Sequence, residues 1–170
     1  AAVLDRYGFD GSDFYGRARF HDRFDMTKEP NEPNRFDWVV EIDPYDASST
    51  PIKRTALGRM SHEASTVVHN KDGRIVVYMG DDDYFEYVYR FVSKSIYDPA
   101  KPETGKDLLD EGVLSVARYD ADGSLTWLPL VHGQGKLTAE NGFADQAEVL
   151  LKTRLAADAL GATPMDRPED

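Results

Sequence analysis

Two Asp-Gly pairs, each between short runs of β-branched and aromatic residues, constrain the fold of this chain more than any other sequence feature. The pairs are Asp72-Gly73 and Asp122-Gly123. The runs beside them cover residues 64–69 and 74–80 for the first pair, and residues 113–119 and 125–131 for the second. Glycine accepts the positive φ angle that a tight turn between two strands requires, so each pair predicts a β-hairpin.

Three further segments, residues 36–43, 52–59 and 87–93, also have the composition of β-strands. Short strands joined by tight turns are typical of one propeller blade. We therefore predict antiparallel sheets that resemble part of a β-propeller, with a fragment of a β-sandwich as the alternative. Residues 1–35 show neither a strand period nor a helix period, and they are predicted to form an ordered loop region.

One helix is predicted, over residues 143–160. Its apolar side chains recur at spacings of three and four, at Phe143, Ala147, Leu150, Leu151 and Leu155. Asn141 is available to cap the N-terminus, and Gly161 stands where a helix C-terminus favours a left-handed residue. The predicted fold class is mainly β, with antiparallel sheets resembling part of a β-propeller and one C-terminal helix.

The charge balance is acidic, with 20 Lys and Arg against 31 Asp and Glu, a formal net charge of −11. A nucleic-acid partner is not expected, because such partners bind basic surfaces. A membrane partner is not expected either, since apolar runs such as residues 75–79 fall far short of the roughly 20 residues that cross a bilayer. Cationic partners stay open, metal ions first among them. The absence of cysteine excludes disulfides and thiolate metal ligands.

The densest acidic cluster, residues 80–86, follows an apolar strand and includes Asp81 and Asp82. Clustered carboxylates are the hard oxygen ligands that Ca²⁺ prefers, so this loop is a candidate calcium site, with a solvated loop tip as the alternative. His62-Glu63 stands between two predicted strands. A carboxylate there can bind a metal, or the pair can form an ordinary surface turn.

Residues 165–170 combine Arg167 with Glu169 and Asp170. Arginine offers a planar, always charged fork for phosphate or carboxylate, and acids just beyond it can bind a cation that shares the same anion. The alternative is a solvated charged tail.

Several stretches of the chain, taken together and in order, resemble the PhoX family of alkaline phosphatases. They cover residues 21–25, 28–36, 38–44, 53–59, 62–63, 77–82, 85–87, 108–112, 127–130, 153–157 and 162–170. The resemblance implies an exported, monomeric phosphomonoesterase, periplasmic or secreted, built on a β-propeller that carries a cluster of iron and calcium. By residue match it implies that Glu63 and Glu169 are metal ligands and that Arg167 binds the phosphate. Asp81 and Asp82 are added as metal ligands on the acidic cluster and the family together.

The chain departs from the family in two ways. The family has a cysteine among its iron ligands, in a segment that would precede residue 1, and it continues past the Arg-Pro-Glu-Asp motif. Residues 1–170 are therefore expected to be a fragment of a single PhoX-like phosphatase domain, with no complete second domain, inactive on its own. Its expected partners are a phosphate monoester and the rest of the parent chain. The alternative is a non-enzymatic, β-rich module that binds calcium or another protein.

Overall fold

The structure, a computed structural model, describes residues 2–169. The chain divides into two compact units, Ala1–Asp37 and Trp38–Asp170. Within the described residues, every helix is too short or too polar to cross a membrane.

The first unit contains little regular structure, as the loop prediction for residues 1–35 expects. It has one short helix, α1 (Ala2–Asp5), and three 3-10 helices, at Arg17–Arg19, Asp22–Phe24 and Glu32–Arg35. Aspartate side chains hold its turns: the Ser12 N–H donates to Asp10 Oδ1 at 2.8 Å, and the Thr27 N–H donates to Asp25 Oδ1 at 2.9 Å. Such turns give the backbone hydrogen bonds that a loop otherwise lacks.

The second unit opens with a two-stranded antiparallel sheet, β1 (Val40–Glu41) and β2 (Ile52–Lys53). Both strands are much shorter than predicted. After β2 the chain forms a 3-10 helix at Thr55–Leu57. The strand ends here because the side chain of the adjacent Arg54 is buried. Its guanidinium binds Glu41 at 2.8 Å and Asp110 at 2.7 Å, and both contacts lie outside the reach of a local sequence pattern.

The main sheet has five antiparallel strands in sequence order, so each strand pairs with its neighbours along the chain. They are β3 (Thr66–His69), β4 (Arg74–Gly80), β5 (Val88–Ile96), β6 (Gly112–Tyr119) and β7 (Leu125–Pro129). Both predicted hairpins are confirmed: Gly73 and Gly123 have φ angles of 84° and 85°. In each turn a backbone N–H closes the hairpin at 2.9 Å, from Asn70 to Arg74 and from Asp120 to Ser124.

One face of this sheet forms the core. Because successive side chains of a strand point to opposite faces, every second residue of each central strand lies on this face. Its buried side chains come from β4, β5 and β6: Val77, Met79, Tyr89, Phe91, Leu114 and Val116. They pack against a layer of helices and turns that contributes Leu57, Met60, Leu130, Leu137, Phe143, Val149, Ala156 and Ala157. On the other face the Arg90 guanidinium lies over the Trp127 ring, at 4.6 Å from its centroid.

The predicted helix over residues 143–160 is two helices, α2 (Gln146–Leu151) and α3 (Thr153–Leu160). They are separated at Lys152, whose φ of −108° and ψ of 39° are not helical. The Leu150 carbonyl causes the break, because it accepts the Arg59 N–H at 3.1 Å and the Thr153 hydroxyl at 2.7 Å. Asp145, not Asn141, caps α2, whereas the predicted cap at Gly161 is confirmed by a φ of 74°.

Candidate functional site

Three segments meet at the end of the main sheet where β4 passes into β5. They are the His62 turn (residues 61–63), the acidic loop (residues 81–86) and the C-terminal segment (residues 165–169). Backbone hydrogen bonds join the first two: the Asp82 N–H donates to the Ser61 carbonyl at 2.9 Å, and the Glu63 N–H donates to the Gly80 carbonyl at 3.2 Å. The fold thus brings together three stretches that are far apart in sequence.

The C-terminal segment is attached to the acidic loop in the same way. The Met165 N–H donates to the Glu86 carbonyl at 2.9 Å, and Tyr84 and Asp166 form an isolated β-bridge. Gly80 permits this approach, because a Cβ atom at that position would lie 2.3 Å from the Pro168 carbonyl oxygen. Residue 80 must therefore be glycine for the segment to lie where it does.

Arg167 lies at the centre of the polar groups. Its guanidinium donates to both oxygens of Asp82, from Nε at 2.9 Å and from Nη2 at 3.0 Å, and Nη2 also lies 2.6 Å from the Glu169 carboxylate. Its backbone has a left-handed φ of 54°, unusual outside glycine. The hydrogen bond to Asp82, followed by the charges of Asp82 and Glu169, raises the pKa of Arg167 above its ordinary value. The Arg167 side chain is 44% exposed, so solvent and small solutes can reach it.

Three of the five predicted site residues, Asp82, Arg167 and Glu169, are therefore in direct contact. Glu63 belongs to the same site through its backbone, since its N–H donates to the carbonyl of Gly80, the last residue of β4 before the acidic loop. The Glu63 side chain itself is exposed. Asp170, named with the C-terminal motif, lies outside the described residues.

Asp81 differs from the other four because its side chain is fully buried. Both of its oxygens accept hydrogen bonds from Arg154 on α3, at 2.7 Å from Nη2 and 2.8 Å from Nε. Its Oδ1 also accepts the Ser61 N–H at 2.9 Å. In this structure Asp81 is thus one half of a buried ion pair, and its role as a metal ligand stays a prediction.

Sequence reasoning did not single out Arg154. Its side chain is 3% exposed, and besides Asp81 it faces Glu86 at 3.7 Å and Asp83 at 3.5 Å. One sequence signal could have found it. Arg154 shares the apolar face of a helix with buried Ala157, and an arginine on such a face requires a buried carboxylate partner.

The carboxylates of this site have the hard oxygen donors that calcium takes, but a metal ion needs several of them at once. Within residues 2–169, no group of three or more His, Asp or Glu side chains is arranged to hold a metal ion. The donor type fits a metal, whereas the described part of the chain does not complete a site.

The fold and the site define a mainly β protein with an arginine–carboxylate site at one end of an antiparallel sheet. The family model for alkaline phosphatase PhoX matches residues 1–170. The chain is 49% identical to the solved structure of Pseudomonas fluorescens PhoX in complex with vanadate, a transition state analogue, with a TM-score of 0.95. Nothing among the curated proteins matches it.

The chain belongs to the alkaline phosphatase PhoX family, as the resemblance of its motifs predicts. The match covers 100% of this chain and 31% of the Pseudomonas fluorescens chain, so the chain spans about a third of that structure's length. The mainly β fold class is confirmed, and the match is consistent with a propeller-like fold.

Proposed function

We propose that this chain is part of a metal-dependent phosphatase that hydrolyses phosphate monoesters, and that Arg167 binds the phosphate. One observation carries the proposal: the partly exposed Arg167 already holds a planar anion through two parallel N–H···O bonds. Two oxygens of a phosphate accept the same fork. The family match, and the vanadate complex of the Pseudomonas fluorescens relative, support the same assignment.

The charges of the site limit how this chemistry can work. A phosphate monoester dianion is repelled by a chain with a net charge of −11 and by the two carboxylates beside Arg167. In this structure those carboxylates accept the hydrogen bonds of Arg167 Nε and Nη2. Phosphate must therefore replace at least one of them to bind through two parallel bonds. A second source of positive charge that engages Asp82 or Glu169 would leave Arg167 to the substrate.

Metal ions are the expected source of that charge. We propose calcium and iron, as in the family, with Glu63 and Glu169 as the ligands that this chain supplies and with Asp81 and Asp82 as further candidates. Bound metals would neutralise phosphate oxygens and provide a nucleophile at neutral pH. Asp82 and Asp81 each bind an arginine through both carboxylate oxygens in this structure, so as ligands they would use the lone pairs that these hydrogen bonds leave.

We further propose that residues 1–170 are a fragment of one larger phosphatase domain, in a monomeric protein that is periplasmic or secreted. The 31% coverage of the related structure supports this, as does the incomplete set of metal donors in residues 2–169. The isolated chain is then expected to be inactive. The alternative, a non-enzymatic module that binds calcium or another protein, predicts no hydrolysis even by the complete gene product.

The test is the hydrolysis of a phosphate monoester by the complete gene product, with Ca²⁺ and iron supplied. Glu63→Gln and Glu169→Gln are each expected to lower turnover by about 10²-fold or more and to lower the metal content found by elemental analysis. Glu140→Gln is the matched control, because Glu140 lies on an exposed 3-10 turn elsewhere. Unchanged turnover in both site variants would overturn the ligand assignments, and an inactive wild type would overturn the function.

A further inference from the structure

We propose that Arg154 is a positioning residue for this site. In this proposal Arg154, acting through Asp81, holds the acidic loop against the His62 turn and thereby sets where Asp82 meets Arg167. The inference rests on the proposed function for its effect on turnover, but its structural part can be tested without any activity.

The Asp81 carboxylate is bound from two different segments, by Arg154 of α3 and by Ser61 of the His62 turn. The guanidinium of Arg154 binds both carboxylate oxygens, while Asp81 Oδ1 also accepts the Ser61 N–H. A third contact, from Arg154 Nη2 to Ser61 Oγ, measures 3.4 Å. The Asp81 carboxylate is therefore the junction at which α3, the His62 turn and the acidic loop are joined.

The charge around Arg154 is strongly negative. Three carboxylates face the one guanidinium, and two of them are almost fully buried, with Asp81 at 0% and Glu86 at 3% side-chain exposure. Buried carboxylates are strongly destabilised when their cationic partner is removed. The acidic loop therefore stays packed against α3 and the His62 turn only while the positive charge of Arg154 balances these carboxylates.

The contacts of Arg154 also fix the position of Asp82. Its two chain neighbours, Asp81 and Asp83, both contact Arg154, and its own N–H is bound to the Ser61 carbonyl at 2.9 Å. The Asp82 backbone is thus fixed on both sides, which aims its carboxylate at Arg167. Displacements of about 1 Å at a reacting centre can cost 10²-fold in rate, so a loosened loop would be visible in turnover.

The experiment compares Arg154→Lys with Arg54→Lys in the complete gene product. Arg54 is a matched control because it is equally buried, at 5% side-chain exposure, and binds two carboxylates, Glu41 and Asp110, that belong to neither the acidic loop nor the C-terminal segment. Lysine keeps the charge at either position but loses the planar fork. The readouts are kcat and KM per folded molecule, and amide hydrogen exchange at Ser61 and Asp82.

For Arg154→Lys we expect kcat to fall by about 10²-fold with KM changed by less than about threefold. We expect exchange at Ser61 and Asp82 to rise about tenfold or more, with no change at Val77 in the sheet. Arg54→Lys should leave kcat within about twofold and leave both amides unchanged. If Arg154 only stabilised the fold, both variants would have a lower folded fraction. Their kcat values and their exchange rates at Ser61 and Asp82 would then be the same.

The outcomes separate this inference from the proposed function. If the wild type hydrolyses no phosphate monoester, the proposed function fails and the two amides alone decide the role of Arg154. If Arg154→Lys does not fold, Asp81→Asn replaces it, since it preserves shape while weakening the same junction. The inference is overturned if Arg154→Lys and Arg54→Lys have the same exchange rates at Ser61 and Asp82. Where Asp81→Asn replaces Arg154→Lys, wild-type exchange rates at these two amides overturn it.

Discussion

Arg167 binds both carboxylate oxygens of Asp82, at 2.9 and 3.0 Å, across 85 residues of sequence. This pair links the loop between β4 and β5 to the segment that follows α3. In it the guanidinium faces a planar anion through two parallel N–H···O bonds.

Gly80→Ala should displace the C-terminal segment, because the new Cβ atom would lie 2.3 Å from the Pro168 carbonyl oxygen. Overpacking of this kind lowers the free energy of unfolding by about 1–3 kcal/mol. Gly105→Ala is the control: Gly105 has no left-handed φ, and a Cβ atom at that position would lie 3.3 Å from the nearest atom, in the Tyr97 ring. We expect the control to change the same free energy by less than about 1 kcal/mol in urea unfolding. Equal effects of the two variants would contradict the packing described at Gly80.

Asp145→Ala should destabilise the chain because the Asp145 side chain caps α2, accepting the Glu148 N–H at 2.8 Å. Loss of such a cap costs about 1 kcal/mol. Asn141→Ala, at the position that the sequence pattern favours as the cap, should change the free energy of unfolding by no more than about 0.5 kcal/mol. A larger loss of unfolding free energy in Asn141→Ala than in Asp145→Ala, measured by thermal or urea unfolding, would contradict the helix start described here.

The β6–β7 hairpin turn should show a pH dependence that arises at Asp122. The Ser124 side chain, and then the Ser124 backbone N–H at 2.9 Å, stabilise the ionised carboxylate and lower the pKa of Asp122 below its ordinary 3.8. A carboxyl whose pKa is lower in the folded state stabilises that state above pH 3.8, and this contribution is lost as the pH falls through the folded pKa. Carboxyl NMR titration should show the lowered pKa, and Ser124→Ala should raise it. An Asp122 pKa of 3.8 or above in the wild type would contradict the hydrogen bonding described here.

The elements that could be predicted from sequence are those encoded by neighbouring residues. The two hairpins were predictable because an Asp-Gly pair and its flanking strands lie within about twenty residues of each other. The division of the predicted helix was not, because the Leu150 carbonyl is taken by Arg59, which is distant in sequence. Strand β2 is short for the same kind of reason, since the contacts of the buried Arg54 extend as far as Asp110.

The site follows the same rule. The family resemblance predicts Arg167 and Glu169, the acidic cluster and the family together predict Asp82, and the structure brings these three side chains into contact. Their roles as ligands and as phosphate binder stay predictions. Arg154 could not be predicted from a local pattern because its partner Asp81 is 73 residues away, and only the fold brings the acidic loop to this buried guanidinium.

The most direct test of the proposed phosphate site is a comparison of Arg167→Lys with Arg118→Lys in the complete gene product. Arg118 is paired with Asp120, at 3.0 Å from its Nε, and its side chain is 41% exposed against 44% for Arg167. The measurement is kcat/KM for a phosphate monoester. We predict a loss of about 10²-fold or more for Arg167→Lys, since the fork to the phosphate oxygens is gone, and less than about twofold for Arg118→Lys. Equal values for the two variants would contradict the assignment of Arg167 to the substrate phosphate.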